Sequence, residues 1–298
     1  MRDKISEGIF VIPGRNRGSY PFCNSLYIED EVRAVIDPAS DRKELQRLTD
    51  VRLAILSHFH QDHVREIRAL PMAEAAVHES EAEALADWRK YVPLVFFPDE
   101  SQQDIDEWLQ TQIDLVKPEQ WHFRVGRKLR DKDEISLGRM RLQVIHTPGH
   151  TLGHCCFWFP EPEILFSGDI DLSDFGPWYG NACSNLADFV NSLDKLKPYN
   201  PKLVITAHEA GVVKEEDFHS RLARYKEVIF TREQKILDAL SSPNTLEEVV
   251  DLGTIYGDYL RQARDLRPIE RRMVIHHLRW LEQKGMAKCE NGIWRRKS

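Results

Sequence analysis

Short apolar runs separated by turn residues dominate the first two thirds of the chain. The runs 9–12, 25–28 and 32–36 are rich in β-branched residues, and a turn-forming pair or an acidic stretch follows each of them. This pattern predicts a hairpin-rich sheet. The run 53–56 contains no polar residue and predicts a buried parallel strand.

Later apolar runs are each followed by a histidine or an aspartate. His150 comes after the run 140–146 and a Pro148-Gly149 turn, Asp169 follows 164–166, and His208 follows 203–205. Because ligands bind at the carboxyl ends of strands in α/β folds, several strand ends are expected to meet in one site. Helical periodicity predicts further helices over 41–49, 79–90, 104–115 and 188–195.

The last quarter of the chain has a different pattern. Helices are predicted over 215–240, 246–252 and 269–284, with a hairpin from 286 to 296. Within the first of these, Thr231-Arg232-Glu233-Gln234 resembles a capping box that would start a new helix. The order of three helices and a hairpin predicts a winged-helix domain.

Two domains are therefore expected, at 1–225 and 226–298. A helical, aromatic-rich insertion at 79–125 interrupts the first of them. Its aromatic side chains could form a lid or pocket wall over a site, or pack in a core or a homodimer contact. If the second domain is separate, its removal should leave the activity of the first domain unchanged.

Composition narrows the class of protein. The chain has 298 residues, 42% of them hydrophobic and 30% charged, which is typical of a folded protein. Its net charge of −7 argues against a nucleic-acid coat, although residues 229–298 contain 13 basic and 10 acidic side chains. No apolar run approaches 18 residues, no signal peptide is visible and the five cysteines form no CxxC pair. We therefore expect no membrane association and a cytoplasmic location.

The chemistry is concentrated in Ser57-His58-Phe59-His60-Gln61-Asp62-His63, directly after the buried strand. Imidazole and carboxylate groups are the usual ligands of zinc, and they also suit iron and manganese. Asp37, at the end of an earlier strand, is expected either to orient a metal-bound histidine or to start a turn. Together with the three later strand ends, this stretch predicts a metal site.

Four motifs resemble the metallo-β-lactamase superfamily across residues 8–212. They are His58-x-His60-x-Asp62-His63, Thr147-Pro148-Gly149-His150-Thr151, Ser167-Gly168-Asp169 and Ala207-His208. The resemblance implies an α+β fold: an αβ/βα sandwich of two mixed sheets with outer helices. It also implies two divalent metal ions per chain, zinc or alternatively iron or manganese. The implied ligands are His58, His60 and His150 for the first metal, Asp62, His63 and His208 for the second, and Asp169 between them.

The resemblance further implies a binuclear hydrolase that uses a metal-bridging hydroxide. Asp62 would orient the nucleophile, and His154 would either donate to a substrate oxyanion or support the ligands. Trp178 and Tyr179 could line the substrate pocket or form a structural turn. The sequence departs from the family at Val64-Arg65-Glu66, where a glycine pair is frequent, and at Glu209.

The favoured substrate is a small thioester or ester, as for the hydroxyacylglutathione hydrolases, while the absence of a secretion signal argues against a β-lactam. The tail resembles β-lactamase-like protein 2, which implies single-strand RNA cleavage as an alternative. The third predicted helix carries arginines, but also Glu270 and Glu282, so nucleic acid is not favoured. A mononuclear iron dioxygenase and a ligand-binding regulator with a vestigial site are the remaining alternatives.

Overall fold

The structure is a computed structural model that describes residues 2–111, 116–117, 120–262 and 266–297. Two mixed β-sheets pack face to face with helices outside them, which confirms the α+β sandwich expected from the sequence. A smaller helical region with a short sheet follows at the C-terminus. Among the described residues, no helix is long and apolar enough to cross a membrane.

In the described part of the chain, the first sheet has seven strands that follow one another across the sheet in chain order. Its first four strands pair antiparallel, and the pairs from the fourth to the seventh strand are parallel. The fifth strand is therefore central and buried, as its apolar sequence predicts. The strands are β1 (Asp3–Ser6), β2 (Ile9–Ile12), β3 (Ser25–Ile28), β4 (Arg33–Ile36), β5 (Val51–Ile55), β6 (Glu74–His78) and β7 (Val125–Leu129).

The second sheet also follows chain order, with six strands among the described residues. Its fourth and fifth strands pair parallel and its other pairs are antiparallel. Its strands are β8 (Glu134–Ser136), β9 (Arg141–His146), β10 (Cys155–Phe159), β11 (Ile164–Phe166), β12 (Leu203–Ile205) and β13 (Val212–Lys214). Apolar side chains of both sheets, including Leu26, Ile55, Phe157 and Phe166, form the core between them.

The helices of the two-sheet part are α1 (Arg42–Gln46), α2 (Gln61–Val64), α3 (Ala82–Ala86), α4 (Trp88–Val95), α5 (Gln102–Thr111) and α6 (Leu186–Leu196). Short 3₁₀ helices cover Arg15–Gly18 and Ile67–Ala69. The single helix expected over 79–90 is wrong, because Asp87 is extended and its side chain caps α4. Of the helix expected over 104–115, the last four residues lie outside the described residues.

The C-terminal region contains α7 (Glu215–Ala239), α8 (Leu246–Asp251), α9 (Tyr259–Gln262), α10 (Arg267–Gln283), β14 (Asn244–Thr245), β15 (Ala287–Glu290) and β16 (Ile293–Arg296). The capping box expected at Thr231 is wrong, because α7 continues through it with Arg232 and Glu233 buried; the capping box that forms joins Thr245 and Glu248. The expected domain boundary after residue 225 falls inside α7. The winged-helix classification stays a prediction.

Candidate metal centre

Loops at the ends of four strands bring seven donor side chains together. They form two groups whose candidate ligand atoms lie within 4.8 Å of one another inside each group. The first group is His58, His60, His150 and Asp169, and the second is Asp62, His63 and His208. These are the seven side chains singled out from the sequence, and their role as metal ligands stays a prediction.

The chain geometry after β5 explains why four donors come from six residues. Phe59 is fully buried and packs edge-on against Tyr91, at 5.3 Å between ring centroids. His58 and His60 flank it, and their rings lie against each other at 4.4 Å. Helix α2 then begins directly after His60, which places Asp62 and His63 in its first turn.

The facing nitrogen atoms of the imidazoles converge in a way that suits a cation. His150 Nε2 lies 3.1 Å from His60 Nδ1 and 3.3 Å from His58 Nε2. In the second group, His63 Nε2 and His208 Nε2 are 3.1 Å apart. Nitrogen ligands about 2.0–2.1 Å from one tetrahedral zinc ion lie about 3.3 Å from each other, so the donor spacing fits zinc.

The nitrogens that face away from the centre are held by neighbours. Ser57 Oγ donates to Asp37 Oδ2 at 2.6 Å and lies 2.9 Å from His58 Nδ1. His63 Nδ1 donates to the same Asp37 oxygen at 2.8 Å, with Cys23 Sγ 3.8 Å from that nitrogen. Asp37 thus orients His63, the first of the two roles expected for it, and such partners fix which nitrogen can bind a metal.

The other three imidazoles are oriented by loops. His208 Nδ1 donates to the carbonyl of Phe22 at 2.7 Å, and His150 Nδ1 donates to the carbonyl of Trp178 at 2.9 Å. The side-chain amide of Asn181 lies 2.6 Å from His60 Nε2. Every imidazole of the two groups therefore has one nitrogen engaged by the protein and the other facing the centre.

Asp169 lies between the two groups. Its Oδ1 is 3.0 Å from His63 Nε2, and its Oδ2 is 3.2 Å from His150 Nε2. With His63 and His208 neutral, the buried Oδ1 accepts no hydrogen bond from the described part of the chain. A buried carboxylate oxygen without such a bond is costly unless a cation lies beside it, so the carboxylate fits a position between two metal ions.

Comparison with known proteins agrees with this arrangement. The sequence model of the Metallo-beta-lactamase superfamily matches residues 20–208, which include every donor described above. The chain belongs to the metallo-β-lactamase superfamily. A solved metallo-β-lactamase family protein from Thermus thermophilus has the same fold, with a TM-score of 0.74 at 23% identity over 99% of this chain and 100% of that one.

Two curated relatives are informative about this superfamily member. Acyl-coenzyme A thioesterase MBLAC2 from Gallus gallus is 33% identical over 150 residues, which are 48% of this chain and 50% of that protein. The chain thus spans about half the length of that relative. A beta-lactamase-like protein 2 homolog from Drosophila melanogaster is 26% identical over 245 residues, 82% of this chain and 72% of that protein.

A cavity of about 550 Å³ opens beside the donors of this superfamily member. His60, Asp62, His150, Asp169 and His208 form part of its wall. Its other lining side chains come from the two-sheet part, the 79–125 insertion and the C-terminal region. They include Tyr20, Tyr91, Val95, Trp108, Trp178, Tyr256, Leu266 and Ile269. A donor cluster in the wall of a largely apolar cavity is the usual arrangement of an enzyme site.

Trp178 and Tyr179, both singled out from the sequence, differ in their position relative to the cavity. Trp178 lines it. Tyr179 is fully buried, and its hydroxyl lies 2.8 Å from His277 Nε2 rather than at the cavity. This position fits a structural turn, the second of the two roles expected for Tyr179.

His154 does not line the cavity either. It is fully buried, its Nε2 accepts the backbone N–H of Asp169 at 3.0 Å, and its Nδ1 lies 2.9 Å from Thr147 Oγ1. Burial and the neighbouring His150 lower the pKa of His154 to about 3, so the ring is neutral. His154 therefore supports the backbone of Asp169. The other role expected for it, donation to a substrate oxyanion, would need a ring nitrogen that is not already engaged, and both nitrogens of His154 have partners.

Sequence reasoning did not single out Ser57 or Asn181. Ser57 precedes the first histidine, and only its fold position shows that it links Asp37 to His58. Asn181 lies in an irregular loop 121 residues from His60, and no motif surrounds it. Both contact a donor histidine at the nitrogen that faces away from the centre. The spacing of the donors along the sequence therefore could not have indicated them.

We expect metal binding to release protons from the second group and therefore to strengthen as pH rises. Burial alone would lower the pKa of His208, but Asp169 and Asp62 raise it to about 10, and Asp169 likewise raises the pKa of His63 well above its usual range. These shifts favour the doubly protonated, charged form of both rings, and the additional proton competes with a cation. Calorimetric titrations with zinc in buffers of different ionisation enthalpy will measure the release.

Asp62→Asn supplies the matched comparison for this titration. It removes one of the two charges that raise the pKa of His208, so fewer protons should be released per metal. Binding heats that do not depend on the buffer, together with an affinity that does not change from about pH 6 to pH 9, would contradict the expectation.

Proposed function

We propose that this superfamily member is a metal-dependent hydrolase that holds two divalent cations, with zinc as the first choice, and cleaves a small thioester or ester. The observation that carries the proposal is the position of Asp169, which lines the cavity and directs one carboxylate oxygen to each group of imidazoles. When bound, two cations would polarise the substrate carbonyl and acidify a water molecule.

The side chains supply the remaining chemistry. Asp62 lines the cavity, and its Oδ2 lies 3.2 Å from His208 Nε2. Burial would raise the pKa of Asp62, but His63 and His208 hold it well below its usual range, so the carboxylate stays ionised. An ionised carboxylate at this position can accept a hydrogen bond from the attacking water and so orient it. Ser57, Asp37, His154 and Asn181 keep the donors in place from behind.

The cavity wall supports a small, partly apolar substrate. Val95, Trp108 and Ile269 line the same cavity as the donors and suit an acyl group, and Trp178, another lining residue, is available to contact it. Asp174 and Glu209 are exposed at the cavity, and the described lining residues include no lysine or arginine. A neutral or cationic leaving group therefore suits the described wall better than the phosphates of coenzyme A, the substrate named for the thioesterase relative.

RNA cleavage is the second candidate, because the resemblance of the tail to β-lactamase-like protein 2 implies it, and a homolog of that name is similar over 82% of this chain. The arginines of α10 weaken it. Arg271 pairs with Asp99 at 2.6 Å, and Arg272 is 3% exposed and pairs with Glu100 at 2.6 Å. Side chains held in internal ion pairs are poor phosphate contacts.

The proposal is tested on protein purified without chelator. Elemental analysis gives the metal content per chain, and hydrolysis is measured for thioesters that share one acyl group but leave with N-acetylcysteamine or with coenzyme A. We expect close to two metals per chain, faster cleavage of the neutral thioester, loss of activity with a chelator, and recovery when zinc, iron or manganese is added.

Other outcomes would select the alternatives. Cleavage of single-stranded RNA with no thioester turnover would identify a nuclease. One iron per chain with oxygen uptake would identify a dioxygenase, although Asp62, His63 and His208 would then have no evident purpose. A protein without bound metal or activity would support the regulator hypothesis and overturn the proposal.

A further inference from the structure

We propose that the C-terminal region orients the first metal site. It holds an irregular loop that contacts His60 and His150 at the ring nitrogens facing away from that site. This inference rests on the metal binding proposed above. Residues 175–181, named here the positioning loop, have no regular secondary structure and lie between β11 and α6. Side chains of α7 and α10 bind the loop on one side, and the loop contacts the two histidines on the other.

Two contacts join the positioning loop to the donors. The carbonyl of Trp178 accepts from His150 Nδ1 at 2.9 Å, and the amide of Asn181 lies 2.6 Å from His60 Nε2. These partners determine which way each ring is turned, and the opposite nitrogens of the two rings then face each other at 3.1 Å. Residues that orient a ligand in this way commonly affect metal affinity.

The C-terminal helices hold the loop through its backbone carbonyls. Arg232 of α7, which is 3% exposed, donates to the carbonyls of Phe175 and Pro177, each at 2.6 Å. His276 of α10 donates through Nε2 to the carbonyl of Asn181 at 2.7 Å. A fixed guanidinium fork and a buried imidazole leave the loop little freedom.

A further chain of contacts ends at Trp178. Glu270 of α10 is fully buried, and its carboxylate accepts the backbone N–H groups of Ile255 and Tyr256 at 3.0 and 2.9 Å. Tyr256 Oη in turn accepts from Trp178 Nε1 at 3.2 Å. The residue whose carbonyl orients His150 is therefore held from the C-terminal region through its side chain as well.

The dependence is selective. His58 is held by Ser57 and His63 by Asp37, while His208 is held by the carbonyls of Phe22 and Gly18. All of these partners belong to the two-sheet part. A change in the C-terminal region should therefore disturb the first site, of which His60 and His150 are two members, and leave the second site nearly unchanged.

The test replaces His276, which contacts none of the seven donors and does not itself line the cavity, although its partner Asn181 does. His276→Leu removes the donor to Asn181, and His276→Gln keeps an amide N–H at a similar reach. Competition with a chromogenic chelator gives the two zinc dissociation constants of the full-length protein. We expect His276→Leu to weaken one constant by about tenfold and the other by less than about twofold, with His276→Gln close to wild type.

Only a partial loss is expected, because the residues just after the loop are also held elsewhere. The backbone N–H groups of Ala182 and Cys183 donate to Val95 and Leu94 of α4. The Co(II)-loaded protein supplies a second readout: the visible bands of the weakened site should shift in His276→Leu and stay in place in His276→Gln.

Leu278→Ala is the matched control. Leu278 is fully buried on the same helix, but it packs in a cluster with Ile236, Leu237 and Val249, away from the positioning loop. It should lower the temperature of unfolding without changing either zinc constant. If His276→Leu weakens both constants equally, or changes them no more than Leu278→Ala does, the inference is wrong while the metal centre stands. A wild-type chain that binds no zinc would overturn both.

Discussion

Asp169→Asn is expected to lower kcat/KM for a thioester by about 10²–10³-fold or more and to reduce the metal content below two per chain. The carboxylate is the one donor that faces both groups, at 3.0 Å from His63 Nε2 and 3.2 Å from His150 Nε2. Asparagine keeps the size but removes the charge, and its amide would present an N–H group where a cation needs a lone pair. Steady-state kinetics and elemental analysis will measure both effects.

The same substitution should change the protonation of the second group. Without the Asp169 charge, the pKa values of His63 and His208 should both fall, since this carboxylate is the leading cause that raises each of them. Asp174→Asn is the control, because Asp174 is an exposed side chain of the same cavity. For the neutral thioester, whose leaving group carries no charge for Asp174 to repel, it should change kcat/KM by no more than about twofold. A fully active and fully metallated Asp169→Asn enzyme would refute the shared role of Asp169.

The donors could be predicted from the sequence because each lies at a strand end. Strand β5 is apolar and buried except for Arg52, so the polar stretch that follows must emerge at the edge of the sheet. The same holds for Asp169 after β11 and His208 after β12. In these cases the apolar strand pattern and the metal-binding residue types both indicate the same edge of the sheet. The family motifs then give the order of the donors along the chain.

The residues behind the donors could not be predicted in this way. Asn181 and His60 are 121 residues apart in the chain, and their contact depends on how the positioning loop folds onto α10. Tyr179 follows Trp178 directly, yet Trp178 lines the cavity while Tyr179 is fully buried. In a loop without regular structure, no periodicity indicates which of two adjacent aromatic residues faces a site.

The expected separation of the C-terminal region stays a prediction, and its basis in the sequence has the same limit. The change from strands to helices near residue 215 is plain in the sequence and indicates a new unit. The apolar faces of those helices do not show what they pack against. In the structure, Ile229 of α7 and Met273 of α10 belong to one cluster with Phe189 and Leu193 of α6, which covers the outer face of the second sheet.

Deleting residues 229–298 is therefore expected to abolish thioester hydrolysis and to leave a poorly folded chain, the opposite of what a separate domain would allow. The deletion uncovers Phe189 and Leu193 and removes Arg232 and His276 from the positioning loop. Burial of one large apolar side chain contributes about 1.5–3 kcal/mol. Because the whole stability of a domain is about 5–15 kcal/mol, uncovering several such side chains approaches the total.

A shorter deletion, of residues 241–298, separates packing from orientation. It keeps all of α7, with Ile229 in the cluster and Arg232 on the loop, but removes His276 and the cavity wall formed by Tyr256. Near-ultraviolet circular dichroism and metal analysis should show more folded protein than for the longer deletion, still with weakened binding at the first site. The opposite outcome is that either truncated chain folds, binds two metals and turns over thioesters like the full-length protein. The C-terminal region would then be a separate domain, because contacts that can be removed without effect do not position the site.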